Sequence, residues 1–338
     1  MTTIETQPQP NSEPGRESQV PKAPEAKRAE QTSRERRKAL GRSVGRVILQ
    51  TLVFVVRRLP LPAALALGRG LGTTMRVLAK KRYRVALKNL RIAYGDTLPQ
   101  AEQERIARDC FRHFGMFFME SIQFAYMSDE EVNRRIDVTG YAEFAELMER
   151  KKGCLFISGH LGNFEIMGRW LAPRGYPIIA LARENRDPGT TDIMSDLRER
   201  MGIKVITLGQ SLKPVLVGLK KNACIAIICD QNATDVFVPF FGHPTGTVDG
   251  PARIALPMGA PMLFPYCVRD GRGQYKIVNT GVYEAVSTGD EQADVERVMT
   301  EVNARLEAII REYPEQWLWF HNRWKSSPIG QAPERPNA

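Results

Sequence analysis

The sequence has few cysteines, and their spacing gives them no joint role. There are five, an odd number, and none forms a Cys-x-x-Cys pair. A disulfide framework usually has an even set, and a zinc site usually has closely spaced pairs. We therefore expect reduced, buried thiols in a domain without a disulfide frame or metal site. The cysteines, most of them inside apolar runs, are Cys110, Cys154, Cys224, Cys229 and Cys267.

The sequence also lacks an uninterrupted apolar run long enough to cross a bilayer. Its most apolar block, residues 47–72, is broken by Arg57, Arg58, Pro60 and Pro62, whereas a spanning helix needs about 20 apolar residues. Basic residues flank the block on both sides, so a single span would place one basic cluster on the wrong side of the membrane. A helix pair that lies in the interface or re-enters it fits better. Two core helices of a soluble domain are the remaining alternative.

Several catalytic signatures are missing. There is no Gly-x-Ser-x-Gly nucleophile elbow, no P-loop and no His-Glu-x-x-His motif. The fragment GRGLGT, residues 68–73, lacks the third spaced glycine of a dinucleotide loop, and we interpret it as a helix-packing segment. The sequence thus predicts no cofactor and no metal, and a reactive group would have to act on a hydroxyl that the substrate brings.

Charge and the ends of the chain give coarser information. The net charge is +10, which favours polyanions such as nucleic acid, an anionic membrane or an acidic or phosphorylated partner, without choosing among them. Residues 1–44 are rich in Gln, Pro, Glu, Ser and Arg and contain no apolar core of a secretory signal. We expect a disordered basic tail there, and a second disordered tail over residues 327–338.

The pattern of apolar residues predicts two regions. Residues 45–150 have helical periodicity and are expected to form a helical, membrane-associating region. Residues 151–326 alternate short apolar runs with helical stretches, which predicts an α/β core with a mostly parallel sheet flanked by helices. The predicted strands are CLFIS, PIIALA, IKVITL, CIAIICD, PMLFPYCV and YKIVNTGV, the first crossover helices cover residues 163–172, 189–201 and 211–221, and a long C-terminal helix stops before Pro314.

The candidate reactive group is in the segment CLFISGHLGNFE, where a predicted strand ends and a helix begins. His160 follows the strand directly, Asn163 could cap the helix, and Glu165 in the first turn could face back toward His160. A histidine oriented by a carboxylate is a general-base pair. The structural alternative is a capping histidine and a glutamate favoured by the helix dipole.

Asn163 and four further positions are candidates for substrate contacts. Arg183 follows the second strand, where a guanidinium could hold a phosphate through two hydrogen bonds. Asp230 ends an apolar strand, and Gly242 belongs to an aromatic loop that could shape the acyl or acceptor pocket. Arg323 lies in HNRWK, which combines aromatic and basic groups as phosphate or interface contacts would require. Each could instead be a surface charge or a packing residue.

These motifs resemble those of the lysophospholipid acyltransferase superfamily, and in particular the late acyltransferases of lipid A biosynthesis. The resemblance rests on SGHLGNFE as a His-x4-Glu motif, on ALARENRDP, on the long segment from CDQNATD to QYKI, and on YPEQWLWFHNRWK; it covers residues 46–326. It implies a glycerolipid acyltransferase-like fold in which His160 and Glu165 are catalytic. The implied activity is transfer of an acyl chain from acyl carrier protein or acyl-CoA to a glycolipid hydroxyl in lipopolysaccharide biosynthesis.

The same resemblance implies where the protein acts and with what. It implies an anionic membrane surface as a partner, no nucleic acid, and a location at the cytoplasmic face of the bacterial inner membrane. Relatives with this motif set also acylate lysophospholipids or phosphatidylinositol mannosides, so another polar lipid is the alternative acceptor. A thioesterase and a non-catalytic lipid-binding adaptor are alternatives of other kinds.

Overall fold

The computed structural model describes residues 45–182, 188–207, 212–271 and 273–331. The described residues from Arg46 onward belong to one compact unit. The tail predicted for residues 1–44 and residues 332–338 of the second tail lie outside the described residues, so the proposed boundaries of both tails stay predictions.

The N-terminal part of this unit is helical, as its periodicity predicts, except for one short strand. The elements are α1 (residues 45–56), α2 (Leu61–Leu78), α3 (Lys80–Tyr94), α4 (Gln100–Tyr126), α5 (Asp129–Arg135), β1 (Ile136–Val138) and α6 (Tyr141–Glu149). The sequence pattern does not reveal β1 because three residues are too few to show a period. None of the helices in the described ranges is both long and apolar enough to span a membrane.

Alternating strands and helices follow, and all six predicted strands are present. They are β2 (Cys154–Ser158), α7 (Phe164–Leu171), β3 (Ile178–Ala182), α8 (Pro188–Arg200), β4 (Ile203–Thr207), α9 (Lys213–Lys220), β5 (Cys224–Ile228), β6 (Val236–Phe240), β7 (His243–Thr247), α10 (Gly250–Met258), β8 (Met262–Arg269), β9 (Tyr275–Tyr283), α11 (Glu291–Glu312) and α12 (Pro328–Gln331). The long helix α11 ends before Pro314, as expected.

The main sheet has seven strands in the order β1-β9-β8-β2-β5-β3-β4. Every neighbouring pair is parallel except β8 and β9, so the prediction of a mostly parallel sheet is confirmed. Strands β6 and β7 form a separate antiparallel hairpin, which the sequence interpretation had treated as a loop. The five cysteines are buried and unbridged, as predicted.

Helices α2 and α4 pack at very short range, which confirms the interpretation of GRGLGT. A Cβ at Gly72 would lie 2.1 Å from the carbonyl oxygen of Phe111, and a Cβ at Gly115 would lie 2.1 Å from that of Gly68. Glycine is needed at these positions because any side chain would force the two backbones apart. The helical region is thereby joined to α4, which also contacts α7 of the α/β core.

Candidate active site

The candidate site lies at the carboxyl ends of β2 and β5, which are hydrogen-bonded neighbours in the sheet. His160 follows β2 and Asp230 follows β5, so the two side chains arrive at the same edge. In an open α/β sheet this edge is where ligands bind. The fold therefore brings together two residues that are 70 positions apart in the sequence.

His160 and Asp230 form a short, directed contact. Nδ1 of His160 lies 2.6 Å from Oδ1 of Asp230, and the backbone N–H of His160 donates to Oδ2 at 2.7 Å. The indole N–H of Trp317 donates to the same Oδ2 at 2.8 Å. Because Nδ1–H of His160 donates to the carboxylate, the other ring nitrogen, Nε2, carries no proton in the neutral ring and is the basic atom.

The electrostatics of this pair suit a general base. Burial alone would raise the pKa of Asp230, but the charge of His160 and three hydrogen bonds, two from His160 and one from Trp317, bring it down to about 2. Burial alone would lower the pKa of His160, yet the charge and hydrogen bond of Asp230 outweigh it and raise that pKa above its ordinary value. The His160 side chain remains 24% exposed, so a substrate can reach it.

Glu165 has a different partner from the one expected. Its two carboxylate oxygens accept hydrogen bonds from Nε of Arg198 at 3.0 and 3.1 Å. A terminal nitrogen of the same guanidinium donates to Oε1 at 2.6 Å. Arg198 reaches it from α8, and a two-nitrogen fork outcompetes a single imidazole contact. Glu165 still raises the pKa of His160 through its charge, as a smaller cause than Asp230. The ring of Phe164 packs edge-on against that of His160, with 5.6 Å between the ring centroids.

The other predicted site residues are placed as follows. Asn163 is 1% exposed and makes no cap hydrogen bond; its amide donates instead to the carbonyl of Phe117 and to Glu120 on α4. Arg183 lies outside the described residues. Asp230 is 3% exposed and contacts His160, where a substrate contact had been expected. In this structure Asn163 and Asp230 are both buried and hydrogen-bonded to other groups of the protein.

Gly242 lies at an exposed turn, whereas Arg323 is buried. Gly242 has a φ of +74° in the tight turn between β6 and β7, a backbone role that glycine suits. Arg323 is fully buried, and its guanidinium donates to the carbonyl of Gly246 and to Oγ1 of Thr247. Its burial lowers the pKa of Arg323 to about 10. The sequence interpretation of Arg323 as a substrate contact finds no support in this geometry.

A buried polar network under the loop that carries His160 was not foreseen from the sequence. Glu120 on α4 is fully buried and accepts from Nε of Arg269 at 2.6 Å. Arg269 also donates to Nδ1 of His113 at 2.9 Å, and Nε2 of His113 lies 3.2 Å from the carbonyl of Gly162. Burial and the nearby Arg269 charge hold the pKa of His113 well below its ordinary value. Asn163 also donates to Glu120, so the network is hydrogen-bonded to the loop that carries His160.

Gly162 explains why this loop can sit so close to β8. Its φ is +61°, and a Cβ there would lie 2.0 Å from the carbonyl oxygen of Cys267. The following N–H, on Asn163, donates to that same oxygen at 2.6 Å, and the N–H of Gly162 donates to the carbonyl of Gln316. The glycine therefore serves both the turn and the close approach.

An apolar cavity lies beside the site, between α7 and the sheet. It encloses about 570 Å³, including space open to solvent. Phe164, Glu165 and Arg198 form part of its wall, and Ala180 and Ala226, which are neighbours across β3 and β5, leave room on the sheet side. The sequence offered no sign of Arg198 here, because a single arginine in a charged helix has no distinguishing pattern.

In sequence, the chain is similar to known acyltransferases. The chain belongs to the bacterial lipid A biosynthesis acyltransferases, whose family model matches residues 34–326. It is 28% identical over 284 residues to the lipid A biosynthesis palmitoleoyltransferase of Escherichia coli K12, covering 81% of this chain and 89% of that protein. To the lauroyltransferase of the same organism it is 26% identical over 290 residues, covering 82% and 90%.

A second group of relatives differs in its acceptor. The chain is 24% identical over 234 residues to a phosphatidylinositol mannoside acyltransferase of Mycobacterium tuberculosis, covering 67% of this chain and 72% of that protein. The resemblance inferred from the motifs is therefore confirmed at the level of the lipid A acyltransferase family.

Proposed function

We propose that the protein transfers a fatty acyl chain from an acyl thioester, carried by acyl carrier protein or coenzyme A, to a hydroxyl of a lipid A precursor. The observation that carries this proposal is the His160–Asp230 pair, whose imidazole is partly exposed and whose carboxylate is buried behind it. A general base placed in this way could act directly on the hydroxyl of the acceptor. The hydrogen bonds from His160 to Asp230 support Asp230 in the orienting role that the His-x4-Glu spacing had suggested for Glu165.

The proposed reaction has two steps at His160. Nε2 takes the proton of the acceptor hydroxyl while its oxygen attacks the thioester carbonyl carbon, and the imidazolium so formed is stabilised by Asp230. The tetrahedral intermediate then collapses, the C–S bond breaks, and the proton on Nε2 passes to the leaving sulfur. Glu165 keeps its negative charge near His160 and holds Arg198 at the wall of the cavity.

The acceptor and the donor are tested with purified protein and a radiolabelled acyl thioester. A lipid A precursor, a phosphatidylinositol mannoside and a lysophospholipid are each supplied with the acyl carrier protein donor and with the CoA donor. We expect labelled lipid A precursor. Label only in the mannoside would favour the second candidate, which the Mycobacterium tuberculosis relative supports. Free fatty acid alone would indicate a thioesterase, and binding without any turnover would indicate an adaptor.

We further propose that the helical region attaches the protein to the cytoplasmic face of the bacterial inner membrane. One side of α2 carries four exposed apolar side chains at helical spacing, Leu67, Leu71, Met75 and Leu78, between 37% and 78% exposed. An exposed apolar stripe of this kind marks an interaction surface. The neighbouring helix α3 adds exposed cations, which favour an anionic lipid surface.

Replacing two residues of this stripe should release the protein from lipid. We expect the Leu71→Asp/Met75→Asp variant to lose most of its binding to anionic vesicles, because charged side chains resist transfer into the interface. Co-sedimentation with vesicles measures this loss. Val286→Asp is the control, since Val286 is 66% exposed and lies outside the stripe. Undiminished binding of the double variant would rule out α2 as the attachment surface.

We also propose that the cavity beside Glu165 receives the acyl chain of the donor. Ala226→Leu should then shorten the preferred chain, because each methylene denied burial loses about 0.8 kcal/mol. Losing two methylenes would lower kcat/KM for a 16-carbon donor about tenfold relative to a 12-carbon donor. The measurement is kcat/KM for both donors. Ile228→Leu is the matched control, since it lines the same cavity and conserves volume; an unchanged ratio in Ala226→Leu would place the chain elsewhere.

A further inference from the structure

The segment around His321 lies directly against the loop that carries His160. The backbone N–H of Leu318 donates to the carbonyl of His160 at 3.1 Å. From α3, the amide of Asn89 donates to the carbonyls of Trp319 and His321 at 2.7 and 2.5 Å. Two different elements therefore fix the backbone of His321 beside the site.

The ring of His321 has a defined tautomer. The backbone N–H of Asn232, two residues beyond Asp230, donates to Nε2 of His321 at 3.1 Å. A backbone amide can only donate, so Nε2 must be unprotonated and the neutral ring must carry its proton on Nδ1. Burial holds the pKa of His321 below its ordinary value, which agrees with a neutral ring.

The donor on Nδ1 is not used within the protein. No atom of the described ranges accepts a hydrogen bond from it, and the nitrogen is not sealed inside the protein. The charges of Asp230 and His160 both act on the ring of His321, so the ring lies within electrostatic reach of the catalytic pair. The Nδ1–H of His321 is thus an available hydrogen-bond donor close to His160 and Asp230.

We propose that His321 donates a hydrogen bond from Nδ1–H to a negatively charged oxygen of the bound substrates. This inference rests on the proposed acyl transfer. Two oxygens have the required chemistry: the thioester carbonyl oxygen, which becomes an anion when the acceptor attacks, and a phosphate oxygen of the acceptor. His321 keeps its proton throughout, while His160 alone carries the proton from the acceptor hydroxyl to the leaving sulfur.

Two variants of His321 separate this role from a purely structural one. In His321→Gln the side-chain oxygen can reach the place of Nε2 and accept from Asn232, but the donor at Nδ1 is lost. In His321→Asn the amide nitrogen takes the place of Nδ1 and can donate, but the acceptor for Asn232 is lost. A substrate contact predicts that the glutamine variant is the impaired enzyme. A structural anchor predicts that the asparagine variant is the impaired protein.

We expect His321→Gln to unfold at the wild-type temperature and to lose activity in one of two ways. A lower kcat, by about 10²–10³, would assign the hydrogen bond to the thioester oxygen. An acceptor KM raised about 10- to 100-fold with little change in kcat would assign it to the acceptor phosphate. His321→Asn should stay within a few-fold of wild type in both constants. His243→Gln, at a half-buried histidine whose Nε2 meets the carbonyl of Ile92, is the control and should leave kcat and KM unchanged.

The opposite pattern overturns the inference. A fully active His321→Gln together with an unstable His321→Asn would make the ring an anchor for Asn232 and nothing more. A wild-type protein that transfers no acyl chain to any acceptor would overturn the proposed function, and this inference with it. An active wild type with an equally active glutamine variant overturns the inference alone.

Discussion

Replacing His160 with alanine is expected to lower kcat for acyl transfer by about 10²–10⁴, the contribution typical of a positioned general base. Asp230→Asn should cause a loss in the same range, because the amide no longer stabilises the imidazolium. Steady-state kinetics with both substrates measures these losses, and circular dichroism checks that each variant is folded. A folded His160→Ala protein with near wild-type turnover would contradict the mechanism.

The pH dependence gives a sharper test of Asp230. His160 must be unprotonated to act as a base, so kcat/KM should rise with pH through a pKa that Asp230 holds above the ordinary histidine value. In Asp230→Asn that pKa should fall, and the rise should move to lower pH while the plateau drops. The matched control is Asp294→Asn: the pKa of Asp294 is also about 2, but it is bonded to Thr288 and Arg297. An unshifted profile in Asp230→Asn would remove Asp230 from this role.

The same profile compares Asp230 with Glu165. Glu165→Gln should shift the pH profile in the same direction but by less, since the charge of Glu165 is the smaller cause of the raised pKa. Its main consequence should be the loss of the fork that holds Arg198. If Glu165→Gln shifted the profile more than Asp230→Asn, the spacing-based assignment of Glu165 as the orienting group would be favoured.

Breaking the buried ion pair under the catalytic loop is expected to have the largest effect on stability. Glu120→Gln leaves the Arg269 guanidinium buried without a counter-charge, and such a change costs about 3–5 kcal/mol of the free energy of unfolding. Urea unfolding followed by tryptophan fluorescence measures it, since Trp317 and Trp319 are buried. An unchanged midpoint would mean that the pair contributes nothing to stability.

Two further variants test whether the loss of stability in Glu120→Gln comes from the unpaired buried charge. Glu102→Gln breaks a pair with Arg105 on the same helix, and its midpoint should stay near that of wild type because both partners are well exposed and screened by solvent. The double variant Glu120→Leu/Arg269→Met removes both buried charges and should recover much of the loss. Failure of the double variant to recover would point to packing, and not to the unpaired charge, as the origin of the destabilisation.

The sequence predicts the elements of the α/β core well and the contacts between them poorly. Each main-sheet strand after Gly153 is an apolar run bounded by turn residues, so a short window is enough to recognise it. The hairpin of β6 and β7 was missed because HPTGT, residues 243–247, has no apolar alternation. The strand β1 was missed for its length. Both strands were missed because their own short sequences carry no recognisable strand pattern.

The contacts at the site differ from the expected ones for another reason. Glu165 is five residues from His160 in the sequence, and Asp230 is 70 residues away, yet Asp230 holds the ring. Spacing along the chain favours the near carboxylate, whereas the sheet places the far one on the adjacent strand. Arg198, which pairs with Glu165, carries no signal in the sequence either.

The sequence by itself determined the order and type of most elements, the reduced buried cysteines, and His160 and Asp230 as residues that each end an apolar strand. It could do so because periodicity, turn residues and strand ends are encoded within a few consecutive positions. Only the tertiary structure decided which carboxylate meets His160 and which guanidinium meets Glu165. It also decided that Arg323 is buried. Hydrogen-bond partners depend on which strands and helices become neighbours, and that order is set by packing over the whole chain.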